Sequence, residues 1–244
     1  EALRPRPAPW GLEPDVQAVH LFSEAGRLAF ADRARYVADP DFAPLPGLGA
    51  ATLLDAEYLK QRASLIGPRS MGHAAAGKPL GPQMSLADDH SPELASTTQV
   101  SVVDGFGHAL AMTSTIENGF GAQIMVRGFL LNNQLTDFSF VPAVDGVPVA
   151  NRVQAGKRPR SAMAPMLVFE RESGRLVMTI GSPGGPAIIN YVAKALVGTL
   201  DALVARLRDD RAGIRGDRVG VRGDACDVCV ELVVIEQAAN SASP

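Results

Sequence analysis

At Thr97 the chain changes texture, and that change constrains the fold more than any other feature. Before it, residues 67 to 96 hold Pro, Gly, Ser, His and Asp with no sustained period, which reads as a long surface loop. After it, residues 98 to 103 (Thr-Gln-Val-Ser-Val-Val) suit a strand, Asp104-Gly105-Phe106-Gly107 a tight turn, and residues 108 to 115 a returning strand. A second hairpin is signalled by Met166 to Phe169, a turn at Glu172-Ser173-Gly174, and Leu176 to Ile180. Gly181-Ser182-Pro183-Gly184-Gly185-Pro186 then leads into a helical run through Leu207.

Upstream, residues 1 to 14 are proline-rich and form an extended lead-in. Asp15 can cap a helix with Val16, Val19, Phe22, Ala25 and Leu28 at helical spacing, ending near Val37 before the turn-forming Asp39-Pro40. Asp55 can cap a second helix through Leu65, with Leu59 and Ile66 at its apolar edge. Helices, then hairpins, then a helix predict layered α/β packing around antiparallel strands.

Composition removes several function classes. A net charge of -3 gives no electrostatic footprint for nucleic acid, and no apolar run approaches the roughly 20 residues of a membrane span. The two cysteines, Cys226 and Cys229, have half-zinc spacing without a second pair, and His20, His73, His90 and His108 are scattered. No metal set is expected. From about Arg208 the pattern breaks: six arginines fall between 206 and 222 among Gly, Asp and Val, and periodicity returns only at Val228 to Ile235, a possible strand.

A threonine hydroxyl becomes a nucleophile when a base takes its proton, and a threonine at a chain start can use its own α-amine. Ser96-Thr97 lies where an exposed loop meets a strand, a place that tolerates a backbone cut. Taken alone, a Thr-Thr pair entering a strand reads as structural, since β-branched residues favour strands.

The surroundings decide between these readings. Thr97-Thr98-Gln99-Val100-Ser101-Val102-Val103-Asp104, then Thr113-Ser114-Thr115-Ile116-Glu117 and Phe120-Gly121, closely resemble the start of the small subunit of γ-glutamyltranspeptidases. Leu130-Leu131-Asn132-Asn133-Gln134-Leu135-Thr136-Asp137-Phe138-Ser139, Lys157-Arg158-Pro159-Arg160-Ser161-Ala162-Met163-Ala164-Pro165 and Gly181-Ser182-Pro183-Gly184-Gly185 follow in that family's order. Phe30-Ala31-Asp32-Arg33 to Asp39-Pro40-Asp41-Phe42 resembles the end of its large subunit. The resemblance runs from about residue 15 to about 201.

It implies an α+β fold, the four-layer αββα sandwich of N-terminal-nucleophile hydrolases, incomplete in this chain. Residues 1–96 would be the end of the large subunit, 97–207 the catalytic core of the small subunit, and 208–244 an atypical tail. A reading-frame shift would produce such a tail, and family-like sequence in another frame of the coding DNA would reveal it. The implied precursor cuts itself before Thr97. The mature enzyme then moves the γ-glutamyl group of glutathione or a related γ-glutamyl compound to water, an amino acid or a peptide, without metal or organic cofactor. Bacterial members are commonly periplasmic or secreted.

By the same resemblance Thr97 is the nucleophile and Thr115 the threonine that orients it. Gly184 and Gly185 supply oxyanion donors, Glu117, Gln134 and Asp137 hold the donor's α-ammonium, and Ser161 binds its α-carboxylate. Ala162 replaces a second carboxylate-binding serine, and Gln99 stands where a histidine is common. An arginine for the donor carboxylate belongs to the remainder of the large subunit, a partner this chain needs. Ala162 keeps open a glutaryl or cephalosporin-type acylase of the same family, and the partial large subunit keeps open a truncated, inactive remnant.

Overall fold

The computed structural model describes residues 16–93, 97–171, 173–213 and 230–234. The proline-rich lead-in, Asp15, Ser96, Glu172 and both cysteines lie outside these. Two compact units emerge: one holds residues 16–93 and 120–161, the other 97–119 together with the described residues from 162 onward.

The first unit starts with α1 (Val16–Tyr36), followed by α2 (Ala50–Leu53) and α3 (Ala56–Ala63). The expected helix forms, but of its expected apolar residues only Leu28 is buried: Val16 is 88% exposed and Val19 50%. The buried residues are Glu24, Leu28 and Tyr36, spaced at four-residue steps or multiples of them. This polar stripe fastens the stretch read as a free surface loop. Glu24 accepts from Ser70 Oγ at 2.9 Å and from the Met71 N–H at 2.8 Å. Asp32 accepts from the Gly77 N–H at 2.7 Å, and Tyr36 donates to the Gly77 carbonyl at 2.6 Å.

Asp55 caps α3 as expected, its Oδ1 accepting from the Tyr58 N–H at 2.9 Å. The inward residues of α3 are Tyr58 and Arg62, whereas Leu59 stays 47% exposed. Arg62 pairs with Asp32 at 3.1 Å, so α3 is tied to α1 by charge as well as packing. Tyr36, Ala43, Leu86 and Ala150 form the small apolar core, with Leu45, Leu53 and Ala76 against it.

Two short hairpins follow in this unit, β3–β4 (Met125–Val126 and Phe129–Leu130) and β5–β6 (Ala143–Val144 and Val147–Pro148). A 3-10 turn, Gln134–Asp137, lies between them. The Asp39-Pro40 turn forms, with the Asp39 carbonyl accepting from Ala43 N–H at 2.9 Å. The Asp39 side chain is buried and held by Arg158 through its backbone N–H (2.9 Å), Nε (3.0 Å) and Nη2 (2.8 Å).

These bonds hold the Asp39 carboxyl well below the usual carboxylate range, against the opposing effect of burial. A depressed folded value means stabilisation that is complete above the unfolded pKa, about 3.9, and is lost as pH falls toward the folded one. The unfolding midpoint of the chain should therefore drop from about pH 4 downward. Asp39→Asn should flatten part of that acid limb; an unchanged limb in the variant would refute the assignment.

In the second unit, β1 (Thr98–Val103) and β2 (Ala109–Ser114) form the expected antiparallel hairpin. Its turn is built by Asp104, whose Oδ1 accepts the Phe106 and His108 N–H groups, both at 2.9 Å. Gly107 there has φ +88°, which only glycine adopts freely. The second hairpin, β7 (Met166–Glu170) and β8 (Leu176–Ile180), carries an irregularity between Val168 and Phe169. A strand of the atypical tail, β9 (Val230–Val234), pairs with the other edge of β7, giving the order β8-β7-β9. It falls inside the expected Val228 to Ile235.

The final helix, α4 (Ile188–Gly213), runs past the expected end at Leu207. Ile188, Val192 and Leu196 form its buried stripe, and Val168 is the buried centre of β7. By contrast Val100, Val102 and Val103 of β1 and Leu110 and Met112 of β2 are 36–52% exposed. Both faces of this hairpin thus carry uncovered apolar side chains, a pattern of surfaces that meet a partner.

Candidate active site

Thr97, Thr115, Glu117, Gly184 and Gly185 fall in the second unit; Gln134, Asp137 and Ser161 fall in the first.

In the second unit the hairpin register pairs Thr98 with Ser114 and Gln99 with Thr113. One step further along both strands lie Thr97 and Thr115, so the register brings the two threonines to the same end of the hairpin. Thr115 Oγ1 accepts from the Glu117 N–H at 2.8 Å. Glu117 is buried and has φ +72°, an uncommon conformation for a side chain of this size. That turn swings the chain out of β2 directly behind Thr115.

Gln99 has a structural role that sequence reasoning did not give it. Its Oε1 accepts from Thr113 Oγ1 at 2.6 Å across the hairpin. Its side chain also fills the space where a Cβ on Gly181 would sit. The strand that begins at the candidate nucleophile is therefore packed against the start of the glycine-rich loop.

Gly184 and Gly185 have φ +136° and +56°. A Cβ on Gly184 would come within 2.7 Å of the Tyr191 ring. Both positions thus require glycine, for backbone conformation and, at Gly184, for space. They sit at the head of the 3-10 turn Gly185–Ala187, which runs into α4 with Pro186 in its first turn. The first N–H groups of a helix have no carbonyl within it, and such a terminus favours developing negative charge.

In the first unit Gln134 and Asp137 share one face, as their spacing of three in a 3-10 turn dictates. Gln134 Nε2 donates to Asp137 Oδ2, and the Gln134 N–H donates to Asn132 Oδ1 at 3.0 Å. Burial pushes the Asp137 carboxyl up, and the nearby Glu93 charge adds to the rise against the bond from Gln134. A carboxylate in that state gains most from a cation placed beside it.

The Lys157-Arg158-Pro159-Arg160 run, singled out in the sequence by its family resemblance, is a row of anchors. Lys157 donates to the Ala150 carbonyl, and Arg158 grips Asp39. Arg160 pairs with Asp89 at 3.1 Å and Glu93 at 2.8 Å. Ser161, next in the chain, is exposed. Glu93 also receives both Nη groups of Arg33, at 2.7 and 3.0 Å. Sequence reading missed Arg33, Asp89, Glu93 and Asn151, because a buried ion network has no period to reveal it.

Among the described residues no group of three His, Cys, Asp or Glu side chains is placed to hold a metal ion. Nor is any helix there long and apolar enough to cross a membrane.

Residues 9–206 match the sequence profile of the family described as Gamma-glutamyltranspeptidase. The glutathione hydrolase proenzyme of Bacillus subtilis (strain 168) is 38% identical over 186 residues, which is 72% of this chain and 30% of that protein. The acylase ACY 1 proenzyme of Pseudomonas sp. (strain SE83) is 35% identical over 188 residues, 76% of this chain and 30% of that protein. A crystal structure of a mutant Helicobacter pylori gamma-glutamyltranspeptidase shares 36% identity, covering 43% of this chain and 59% of that one with a TM-score of 0.38. The chain spans 30% of the length of the curated relatives it matches. With one profile covering most of its length, and relatives of this identity on either side of it, the chain belongs to the γ-glutamyltranspeptidase family.

Proposed function

We propose that this chain carries the acylation machinery of a γ-glutamyl hydrolase and transferase. The observation that supports the proposal is the β1–β2 register, whose last pair, Thr98 with Ser114, adjoins both Thr97 and Thr115. In this reading the bond before Thr97 is cleaved and its new α-amine takes the proton from Oγ1. The oxygen attacks the γ-carbonyl of glutathione or a related amide, and Gly184 and Gly185 N–H groups stabilise the charge on the carbonyl oxygen. The leaving amine departs with the proton, leaving a γ-glutamyl-Thr97 ester. Water, an amino acid or a peptide then attacks that ester, giving ping-pong kinetics. Thr115 orients the nucleophile.

Glu117, Gln134 and Asp137 hold the donor's α-ammonium, whose three N–H donors they can accept. Ser161 takes the α-carboxylate. The four-layer αββα sandwich is completed by the remainder of the large subunit, which covers the apolar faces of β1 and β2.

Ala162 supports a second reading, a glutaryl or cephalosporin-type acylase; an acylase is named among the Pseudomonas relatives. A γ-glutamyl anilide and a glutaryl anilide, which lacks the α-amino group, separate the two. The first reading expects the γ-glutamyl compound to be turned over faster, and Asp137→Asn to reduce that preference by about 10- to 100-fold, the weight of a hydrogen bond to a charged group. Equal turnover of both compounds by the unaltered protein would select the acylase.

A further inference from the structure

The two segments that meet the donor in the reading above, the Gln134–Asp137 turn and the Arg160-Ser161 stretch, are joined by one side chain. Asn151 is 0% exposed. Its Oδ1 accepts from the Arg160 N–H at 3.0 Å, and its Nδ2 donates to the Asp137 carbonyl at 2.7 Å. Its own carbonyl accepts from the Ser139 N–H at 2.9 Å, so the chain beyond Asp137 is held a second time. The remaining Nδ2 hydrogen faces Asp89 Oδ2 at 3.5 Å, the carboxylate that pairs with Arg160.

The bridge needs a donor and an acceptor at the end of one short side chain. Aspartate lacks the donor, leucine lacks both, and serine is too short to reach both backbones. Val149 and Ala150, 1% and 0% exposed, lock the backbone at the preceding positions. A fixed amide bonded to both segments ties the distance between them to one side chain.

We propose that Asn151 is a positioning residue that fixes the separation of Asp137 and Ser161, and thereby the preference for donors carrying both an α-ammonium and an α-carboxylate. The proposal rests on the reading of Asp137 and Ser161 as the donor-binding pair. A glutaryl donor keeps the carboxylate and lacks the amine, so it is insensitive to where Asp137 stands relative to Ser161.

The test is the ratio of kcat/KM for a γ-glutamyl anilide to that for a glutaryl anilide, measured on the full protein and on Asn151→Ser. The ratio is independent of how much of a preparation is folded. The expected result is a fall of at least about tenfold in the ratio, carried by a higher KM for the γ-glutamyl compound; a misplacement of about 1 Å can cost a positioned group up to 100-fold. Asn151→Asp keeps the acceptor for Arg160 and removes the donor to Asp137, and it should lower the ratio as well. It carries the test should the serine variant not give soluble enzyme.

A ratio within about twofold of the unaltered value, with both substrates slowed alike, would mark Asn151 as a purely structural residue and overturn the proposal. An unaltered protein without preference for the amino-bearing donor would instead sink the underlying donor reading, and the proposal with it. The two failures are told apart by which protein shows them.

Discussion

Thr97→Val, expressed from the complete gene, should leave one uncut chain and reduce turnover by a factor on the order of 10⁴ to 10⁶, the range seen when a covalent nucleophile is removed. Valine matches threonine in shape and β-branching, so the β1 register from Thr98 to Val103 should survive and the loss should isolate the hydroxyl. The same substitution removes the oxygen that attacks the backbone before Thr97, so cleavage and turnover should vanish together. Thr97→Ser keeps an oxygen at the same place and should retain part of both. Intact mass reads the cleavage, and release of anilide reads the turnover. A valine variant that is still cut, or that keeps normal turnover, would remove Thr97 from the chemistry altogether. Thr115→Val is the graded counterpart: Thr115 follows the last paired residue of β2 as Thr97 precedes the first of β1, and in the proposed mechanism its loss should slow turnover without abolishing it.

How much of this was legible in the sequence varied with the physics of each part. The β1–β2 hairpin was readable because β-branched residues and an Asp-Gly turn point the same way, and Asp104 closes that turn through two backbone N–H groups. The Gln134–Asp137 contact was readable because a spacing of three has few geometric solutions. Helix α1 was readable as a helix, but its inward polar residues were not. Val16 and Val19 of its apolar spacing lie exposed, while Glu24, Asp32 and Tyr36 turn toward the stretch from Ser70 to Gly77.

That inward polar face, and the hydrogen bonds that hold the loop from Ser70 to Gly77 against it, were hidden for one reason. Pattern reading assigns charged side chains to water, yet a carboxylate paired with backbone N–H groups is a stable interior group. The same blindness hid Asn151. The two-residue strands β3 to β6 were too short to show a period at all, and β9 stood out only as a run of apolar residues in an otherwise patternless tail.

The largest stability effect should come from Arg160. Its side chain is 4% exposed and its partner Asp89 1%, so both charges sit outside water. Burial and the neighbouring Arg33 push the guanidinium pKa down, while Glu93 and Asp89 pull it back up. The carboxyls respond in kind. Burial raises Asp89 and Glu93, but hydrogen bonds from Ser91 in the first case and from Arg33 in the second leave both lowered overall.

Arg160→Met keeps much of the volume and removes the charge. Glu93 would retain its two bonds from Arg33, whereas Asp89 would lose the guanidinium paired with it and keep Ser91 and Asn151. Breaking a buried pair from one side costs about 3–5 kcal/mol. One contribution runs the other way, because Arg160 Nε is buried with no hydrogen-bond partner among the described residues and methionine would remove that cost. The net loss should still be a large part of the 5–15 kcal/mol typical of folded proteins.

Urea unfolding of the purified protein measures it, and the double variant with Asp89→Asn should recover part of the loss by removing the stranded charge. A single variant that loses less than about 1 kcal/mol, the size expected of an exposed pair, would show that the network is solvated and not structural.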